Sequence, residues 1–343
     1  FTCSLAVMYR ERDEEGRYRG GPMYYLTNGL GKKWKPAAVV FCVCCLVGSL
    51  PIFQANQLTQ LIRDVFLISK NMSSDNLLQF NTIIGTGLAV LVGTVIFGGL
   101  KRIAQVAERI VPLMVGIYVV LVFTMMVMNA HKLPDCFMLV LTDAFTGDAL
   151  LGGALGSLII IGVKRAAFSN EAGIGTAPLF HGDSKTDNPI KEGLTAMMGP
   201  FIDTIVVCTM TAMAILVTDA WTLHELEGIS ITLEAFTRSF GDLGKVLLFI
   251  CTFAFSITTL FTSYHFGSKS FYFLTNGKFM NAHLTVYVGA VVFGAIVSIE
   301  LVINIIDGMY AMMAFPTMIG ALLLAPKVMK AAKAYFDQSE EVK

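Results

Sequence analysis

The polar segment at 169–175 holds the residues whose types and spacing could do chemistry. It reads Ser169-Asn170-Glu171-Ala172-Gly173-Ile174-Gly175 and follows an apolar stretch that begins near Leu150. Inside a membrane, such residues are costly unless they line a cavity or are buried in protein. Where a helix is broken, its positive N-terminal end attracts a carboxylate, and freed carbonyls coordinate a cation such as Na⁺. The other interpretation, the polar end of an ordinary helix, stays equally open.

Two carboxylates interrupt other apolar stretches. Asp203 lies within Phe201-Ile202-Asp203-Thr204, and Asp307 lies within Asn304-Ile305-Ile306-Asp307. An ionisable residue at membrane depth is a functional candidate by default. Asp203 is therefore predicted to couple an ion or to lock two helices together. Asp307 is expected between two closely spaced helices, at the outer surface.

Long apolar helices must position these side chains. Of the 343 residues, 55% are hydrophobic and 15% are charged. Soluble domains carry about 45–50% apolar and about 25% charged residues, so the composition indicates an integral membrane protein. Runs of this length predict spanning helices, because the strands of a membrane barrel are about ten residues long and alternate. The predicted helices are 36–57, 82–99, 110–129, 150–180 (broken), 194–217, 243–266, 283–303 and 305–326, with 327–343 as a cytoplasmic tail.

The basic residues predict the orientation. If the first loop is cytoplasmic, the inside loops hold 18 Lys and Arg, with Lys269 counted among them, and the outside loops hold 5. This asymmetry fits the positive-inside rule. The chain opens with nine mostly apolar residues, Phe1–Tyr9, which are too few to span a bilayer. We expect them to end a helix whose beginning precedes this sequence.

Several other function classes find no support in the motifs. Basic and acidic residues balance at 25 each, so the net charge does not point to nucleic acid. No HExxH, GxSxG, GxxxxGK[ST] or TVGYG motif occurs, which argues against an intramembrane enzyme, an ATP-driven pump and a potassium channel. The seven cysteines lie mostly in apolar runs. They are predicted to be small buried residues.

Four segments carry a resemblance to a known family. Segment 164–178, KRAAFSNEAGIGTAP, resembles the signature of the alanine/glycine:cation (sodium:alanine) symporter family. Segment 20–31, GGPMYYLTNGLG, is similar to that family's first cytoplasmic loop. Residues 53–57, FQANQ, resemble its Gln-Ala-Asn motif in helix three, and residues 201–212 look like its helix seven. The similarity follows the family's order over nearly the whole chain.

The resemblance implies a fold. We expect an all-α, LeuT-like inverted-repeat transporter bundle that forms one domain, with helices one and six broken at the substrate and ion sites. On this alignment the sequence lacks the first helix and most of the second. A further departure lies in helix eight, where Ser268 stands in place of the family's glutamate.

The resemblance also implies roles for residues. Glu171 is expected to pair with Lys164 or Arg165, while Gly173 and Gly175 permit the backbone geometry of the break. Thr258 or Thr259 would ligate Na⁺, the alternative being a hydroxyl bonded back to the carbonyl one turn earlier. Gln54 and Asn56 line the pathway or cap the membrane interface. The implied substrate-binding residues are Phe168, Ser169, Asn170, Gly173, Gly175 and Gln54.

The implied function is symport of Na⁺ with a small neutral amino acid, alanine or glycine, across the plasma (inner) membrane by alternating access. The partners are then the amino acid, the sodium ion and membrane lipid, and the protein is not an enzyme. Proton coupling or another small solute on the same scaffold is an alternative. A fragment that does not transport alone is another.

Overall fold

The computed structural model describes residues 1–13, 16–66, 74–98, 100–145, 162–163, 165–166, 169–171, 173–223 and 225–341. Its one ribbon in this part of the chain pairs β1 (Glu11–Arg12) antiparallel with β2 (Tyr18–Arg19). All other regular structure described there is helical. The helices are α1 Thr2–Met8, α2 Lys35–Gly48, α3 Ile52–Phe66, α4 Ser74–Ile96, α5 Leu100–Met128, α6 Leu133–Phe145, α7 Ala177–His181, α8 Pro189–Val217, α9 Ile229–Phe240, α10 Asp242–Thr275, α11 Met280–Ile296 and α12 Ile299–Glu341.

Six apolar spans confirm the expected helical membrane protein. In the described ranges, six helical spans are long and apolar enough to cross a membrane, and Met280–Ile296 is a shorter apolar helix. The spans are Lys32–Phe66, Asn76–Ile96, Glu108–Met128, Pro189–Val217, Asp242–Thr275 and Ile299–Asp337. Most of the predicted broken run at 150–180 lies outside the described residues. The inverted repeat stays a prediction.

Several helix boundaries differ from the predicted ones, and α10, for example, runs to Thr275 rather than to 266. The run predicted as one helix at 36–57 is two, because α2 ends at Gly48 and α3 begins at Ile52. Pro51, between them, has no N–H to donate, which favours a break there. Helix α11 ends at Ile296 rather than at 303, and α12 runs from Ile299 to Glu341, so the predicted tail is helical almost throughout.

Asp307 is therefore placed differently from the expectation. It lies inside α12, not between two helices, and its carboxylate accepts a hydrogen bond from Arg165. Asp307 is thus partly buried and contacts the segment that precedes the polar break at 169–175, instead of lying in an exposed loop.

The segment predicted as the first cytoplasmic loop is largely buried. Met23, Tyr24, Tyr25 and Leu26 are buried in one core cluster with residues of α1, α2 and α12. A helical turn at Pro22–Tyr24 runs into a wider turn at Tyr25–Gly29. The cluster fixes this segment beside the C-terminal side of the break, because Ile174 and Leu179 belong to the same core.

A second core packs α11 against α4, with Tyr287 and Val291 facing Leu88 and Val92. Helix α11 also contacts the junction between α2 and α3, at Ile52. A Cβ added at Gly294 would lie 2.6 Å from both the Cα and the carbonyl oxygen of Ile52. The contact is possible because glycine has no side chain.

We predict that Gly294→Ala lowers the melting temperature of the protein in detergent, since forcing a methyl group against backbone costs about 1–3 kcal/mol. Gly289→Ala is the matched control on the same helix, because a Cβ there meets nothing within 4 Å. Alanine in that open position is neutral or slightly stabilising. Equal melting temperatures for the two variants would contradict the close approach of α11 to Ile52.

Candidate substrate and cation site

The residues before the break meet the middle of helix α8. The Ser169 hydroxyl donates to Asp203 Oδ2 at 2.6 Å, and the Asn170 side-chain amide donates to Thr204 Oγ1 at 3.0 Å. Ser169 Oγ also lies 3.5 Å from Cys208 Sγ. Two neighbouring side chains of one segment thus bond two neighbouring side chains of the other. We call Ser169, Asn170, Asp203 and Thr204 the Asp203 cluster.

A proline explains why α8 presents Asp203 and Thr204 in this way. Helix α8 is a regular α-helix over Pro189–Pro200, a π-helix over Phe201–Cys208 and α-helical again over Thr209–Val217. Pro200 cannot donate to the carbonyl four residues earlier, so the regular ladder is interrupted. Wider π turns commonly follow such interruptions and are frequent at functional sites. Asp203 falls in the first turn of the wide stretch.

The Asp203 cluster leaves one strong acceptor without a partner. Asn170 Oδ1 is buried and accepts no hydrogen bond. Buried polar atoms are nearly always satisfied, so an orphan acceptor indicates an ion or a water. The cluster offers a carboxylate, an amide oxygen and two hydroxyls, which are hard ligands suited to an alkali or alkaline-earth cation. Among the described residues, no three His, Cys, Asp or Glu side chains are grouped as a metal site.

A cavity of about 500 Å³ opens beside the cluster. Helices α5, α8, α9 and α10 line it, mostly with apolar side chains. Of the described lining residues, Asp203 is the one that carries a carboxyl group. The Tyr118 hydroxyl and Thr211 Oγ1, 2.7 Å apart, add polar groups to the wall. Its size lies within the range of small-molecule sites, and an apolar space with few polar groups is typical of them.

Beyond Glu171 the backbone leaves helical geometry. Glu171, Gly173 and Gly175 have φ of +57°, +83° and +109°. The Thr317 hydroxyl of α12 lies 3.1 Å from the carbonyl oxygen of Ile174, as well as 2.9 Å from that of Met313. A side chain thus supplies a hydrogen bond that the helix would otherwise give, and the break is a built feature of the fold.

Comparison with known proteins decides the family. A model described as the sodium:alanine symporter family matches residues 1–343. This chain belongs to that family. An "Uncharacterized transporter" of Haemophilus influenzae is 35% identical over 99% of this chain and 76% of its own length. The "Probable sodium/glutamine symporter GlnT" of Bacillus subtilis is 34% identical, covering 98% and 68%. The "Sodium/alanine symporter AgcS" of Methanococcus maripaludis is 33% identical, covering 96% and 72%.

Membership in the sodium:alanine symporter family confirms the resemblance that the sequence carries. The family and the named relatives are transporters, not enzymes. The chain is therefore a multi-pass membrane protein of a cation-coupled amino acid transporter family. The roles of individual residues stay predictions, and the structure says where each of them lies.

Of the residues predicted to bind substrate, Ser169 and Asn170 lie in the Asp203 cluster. Phe168 lies outside the described residues. Gln54 is half-buried on α3. The nearby residues Asn56 and Gln57 of the same helix contact α11 and α9. Asn56 donates to the carbonyls of Gly294 and Val297 at the end of α11, and Gln57 Oε1 accepts from the first N–H of α9. Asn56 thus caps the end of α11, and both of its predicted roles, lining the pathway or capping the membrane interface, stay predictions.

The threonines predicted to ligate sodium lie one turn from the cavity. Both hydroxyls, of Thr258 and Thr259, donate to the carbonyl of Phe255 at 2.9 Å, and Phe255 lines the cavity together with Asp203. This is the local back-bonding that the sequence left open as an alternative. Each hydroxyl oxygen keeps lone pairs that could still face a cation.

Two features of the site escaped sequence reasoning. The sequence did not predict a role for Thr204, which bonds Asn170. It also did not predict that Arg165 pairs with Asp307 of α12. The expected pairing of Glu171 with Arg165 stays a prediction, and Lys164 is outside the described residues. A proline directly before Phe201-Ile202-Asp203-Thr204 was the available signal for the wide turn.

We predict that Gly175→Ala is more damaging than Gly173→Ala. Both positions require a left-handed backbone, which costs an L-residue roughly 1–2 kcal/mol. At Gly175 a Cβ would also lie 2.6 Å from Phe41 and 2.7 Å from Thr317 Oγ1, whereas at Gly173 the nearest atom is 3.6 Å away. The fraction of monodisperse protein left after a series of heating steps measures the difference. Equal losses would show that Gly175 does not pack against α2 and α12.

Proposed function

We propose that this protein couples the inward movement of Na⁺ to uptake of a small neutral amino acid, alanine or glycine, across the plasma membrane by alternating access. The observation that carries the proposal is the Asp203 cluster, in which the segment before the break and the π-helical part of α8 share hydrogen bonds around an orphan amide oxygen. Family membership supports the substrate class, since one relative is named a sodium/alanine symporter.

In the proposed mechanism, Na⁺ binds as a co-substrate at the Asp203 cluster. The Asp203 carboxylate supplies the charge, and Asn170 Oδ1 supplies the ligand that now has no partner. Binding there would tie residues 169–170 to α8 and hold the wall of the cavity in place. A ligand that stabilises one conformation raises the affinity of any second ligand that prefers the same conformation, and the coupling is reciprocal.

The apolar walls of the cavity support a neutral substrate. A charged substrate side chain would need a counter-charge, and the described lining offers the one carboxylate that we assign to the cation. The amino acid's own carboxylate would be drawn to the positive end of the half-helix at the break, in a LeuT-like arrangement. We therefore place the substrate between residues 169–175 and the cavity.

We predict that Asp203→Asn weakens the Na⁺ dependence of labelled L-alanine uptake into proteoliposomes, measured with an inward Na⁺ gradient against choline. A hydrogen bond or contact to a charged group contributes about 1.5–3 kcal/mol, so apparent Na⁺ affinity should fall roughly 10–100-fold. Asp242→Asn is the control, because that carboxylate is 94% exposed and pairs only locally with Lys245. Undiminished Na⁺-driven uptake by Asp203→Asn would refute the assignment.

Proton coupling is the second candidate, because a single membrane carboxylate that accepts a hydroxyl bond could carry a proton instead. The same proteoliposomes distinguish the two. Uptake driven equally well by a proton gradient in choline would keep the transporter and remove sodium as its coupling ion. Absence of alanine, glycine and serine uptake under either gradient would refute the proposed activity.

The threonines of α10 provide a separate test of where Na⁺ binds. We predict that Thr258→Val changes the Na⁺ concentration for half-maximal uptake by less than about fivefold, because a local back-bond contributes only about 1 kcal/mol. Thr258→Ser, which keeps the hydroxyl, is the matched control. A large rise in that concentration for valine but not for serine would place Thr258 among the Na⁺ ligands.

A further inference from the structure

A second buried cluster surrounds Lys269, a residue that the sequence placed in a loop. Lys269 lies inside helix α10 and is 4% exposed. Its ammonium group donates to the carbonyl oxygens of Gly20 and Leu179 and to Asp183 Oδ1. Three acceptors match the three N–H groups of a lysine. A buried charge with full hydrogen bonding is a specific structural device, because an unpaired one would be very costly.

His265, one turn earlier on α10, holds the other oxygen of the same carboxylate. His265 Nε2 lies 3.3 Å from Asp183 Oδ2, and its ring stacks on Phe180 with centroids 4.9 Å apart. Burial of Asp183 opposes its ionisation, but the hydrogen bond from His265 and the charge of Lys269 outweigh that effect and lower the pKa of the carboxyl. Asp183 is therefore ionised at neutral pH and binds two successive turns of α10.

Close backbone packing brings a third segment into this cluster. Gly20 and Gly182 touch so closely that a Cβ added to either would lie 2.5 Å from the Cα of the other. Arg10 binds the far side of the same loop, donating to the carbonyls of Ser184 at 2.6 Å and Thr186 at 2.9 Å. The segment around Gly20, the loop at 182–186 and helix α10 are thus held at one point.

The loop so held is the direct continuation of the break. Helix α7 begins two residues after Gly175 and ends at His181, two residues before Asp183. A movement of the residues after the break must carry α7 and Asp183 with it. Release of Asp183 from α10 is consequently a condition for such a movement.

We propose that Lys269 is a positioning residue that latches the segment after the break, through Asp183 and Leu179, against α10 and the Gly20 segment, and that this latch must open for the protein to face the cytoplasm. The inference rests on the proposed alternating access. By the positive-inside prediction, Gly20, Asp183 and Lys269 all lie towards the cytoplasmic face. Opening to water offers the ammonium and the carboxylate new partners, so the cluster has two stable arrangements, paired and hydrated.

Cys208 provides a native reporter for the test. It lies beside Ser169 in the Asp203 cluster and is partly exposed, as is Cys136, whereas the other five cysteines are buried. In a Cys136→Ser background, the rate at which a membrane-impermeant maleimide labels Cys208 is measured in sealed inside-out and right-side-out vesicles. The measurement needs no transport of any particular substrate, so it is independent of whether alanine is carried.

We expect Lys269→Met and Asp183→Asn to raise labelling from the cytoplasmic side at least threefold and to lower it from the other side. Lys269→Arg keeps the charge, so its labelling rates should stay nearer to those of the parent. Lys278→Met, an exposed lysine just beyond α10, is the matched control and should change nothing. Exchange of the two charges, Asp183→Lys with Lys269→Asp, should bring the labelling pattern back towards that of the parent.

Unchanged labelling in folded Lys269→Met and Asp183→Asn would overturn the latch. An equal rise on both sides would overturn it too, because that result indicates general loosening and not a shift between two conformations. If Lys269→Met fails to fold, Asp183→Asn carries the test with the same two readings, and Lys269→Arg remains the charge-conserving control.

Discussion

Lipid offers no hydrogen bonds, so each backbone group that a broken helix frees must find its partner within the protein. The segment at 169–175 meets this constraint with side chains from other helices. Thr317 of α12 bonds the carbonyl of Ile174, and Asp203 and Thr204 of α8 bond the side chains that precede the break. Thr317 can approach this closely because Gly175 has no side chain, since a Cβ there would lie 2.7 Å from Thr317 Oγ1. Function and stability here depend on one set of contacts.

The break is held on two sides by different kinds of interaction. On one side the Asp203 cluster is only partly buried and has an orphan acceptor, so a cation can change its energy. On the other side the buried Lys269 ammonium has an acceptor for each of its three N–H groups, and His265 holds the second oxygen of the partly buried Asp183 carboxylate. An incomplete cluster suits a site that binds and releases a ligand, whereas a saturated network suits a switch between two discrete arrangements. In the proposed function, the Asp203 cluster would bind the cation and the Lys269 network would hold the segment in its starting position.

Much of the fold and part of the site could be predicted from the sequence. Apolar runs predicted the spanning helices. The polar interruption at Ser169 and Asn170, and Asp203 in a later apolar stretch, predicted the candidate residues that the structure brings together. That these side chains touch could not be predicted, because it depends on the packing of two helices and on the wide turn after Pro200. Lys269 and Asp183 were missed for the opposite reason. A lysine near the end of an apolar run is usually solvated, and only the folded chain shows the acceptors that bury it.

The central claim is that Asp203 links the binding of Na⁺ to the binding of the amino acid. Equilibrium binding of labelled alanine to the purified protein, measured over a range of Na⁺ concentrations at constant ionic strength, tests it most directly. We predict that Na⁺ increases alanine affinity at least tenfold in the parent protein, and that Asp203→Asn needs roughly 10–100-fold more Na⁺ for the same increase. An Asp203→Asn variant whose alanine affinity still rises with Na⁺ as in the parent would contradict the account.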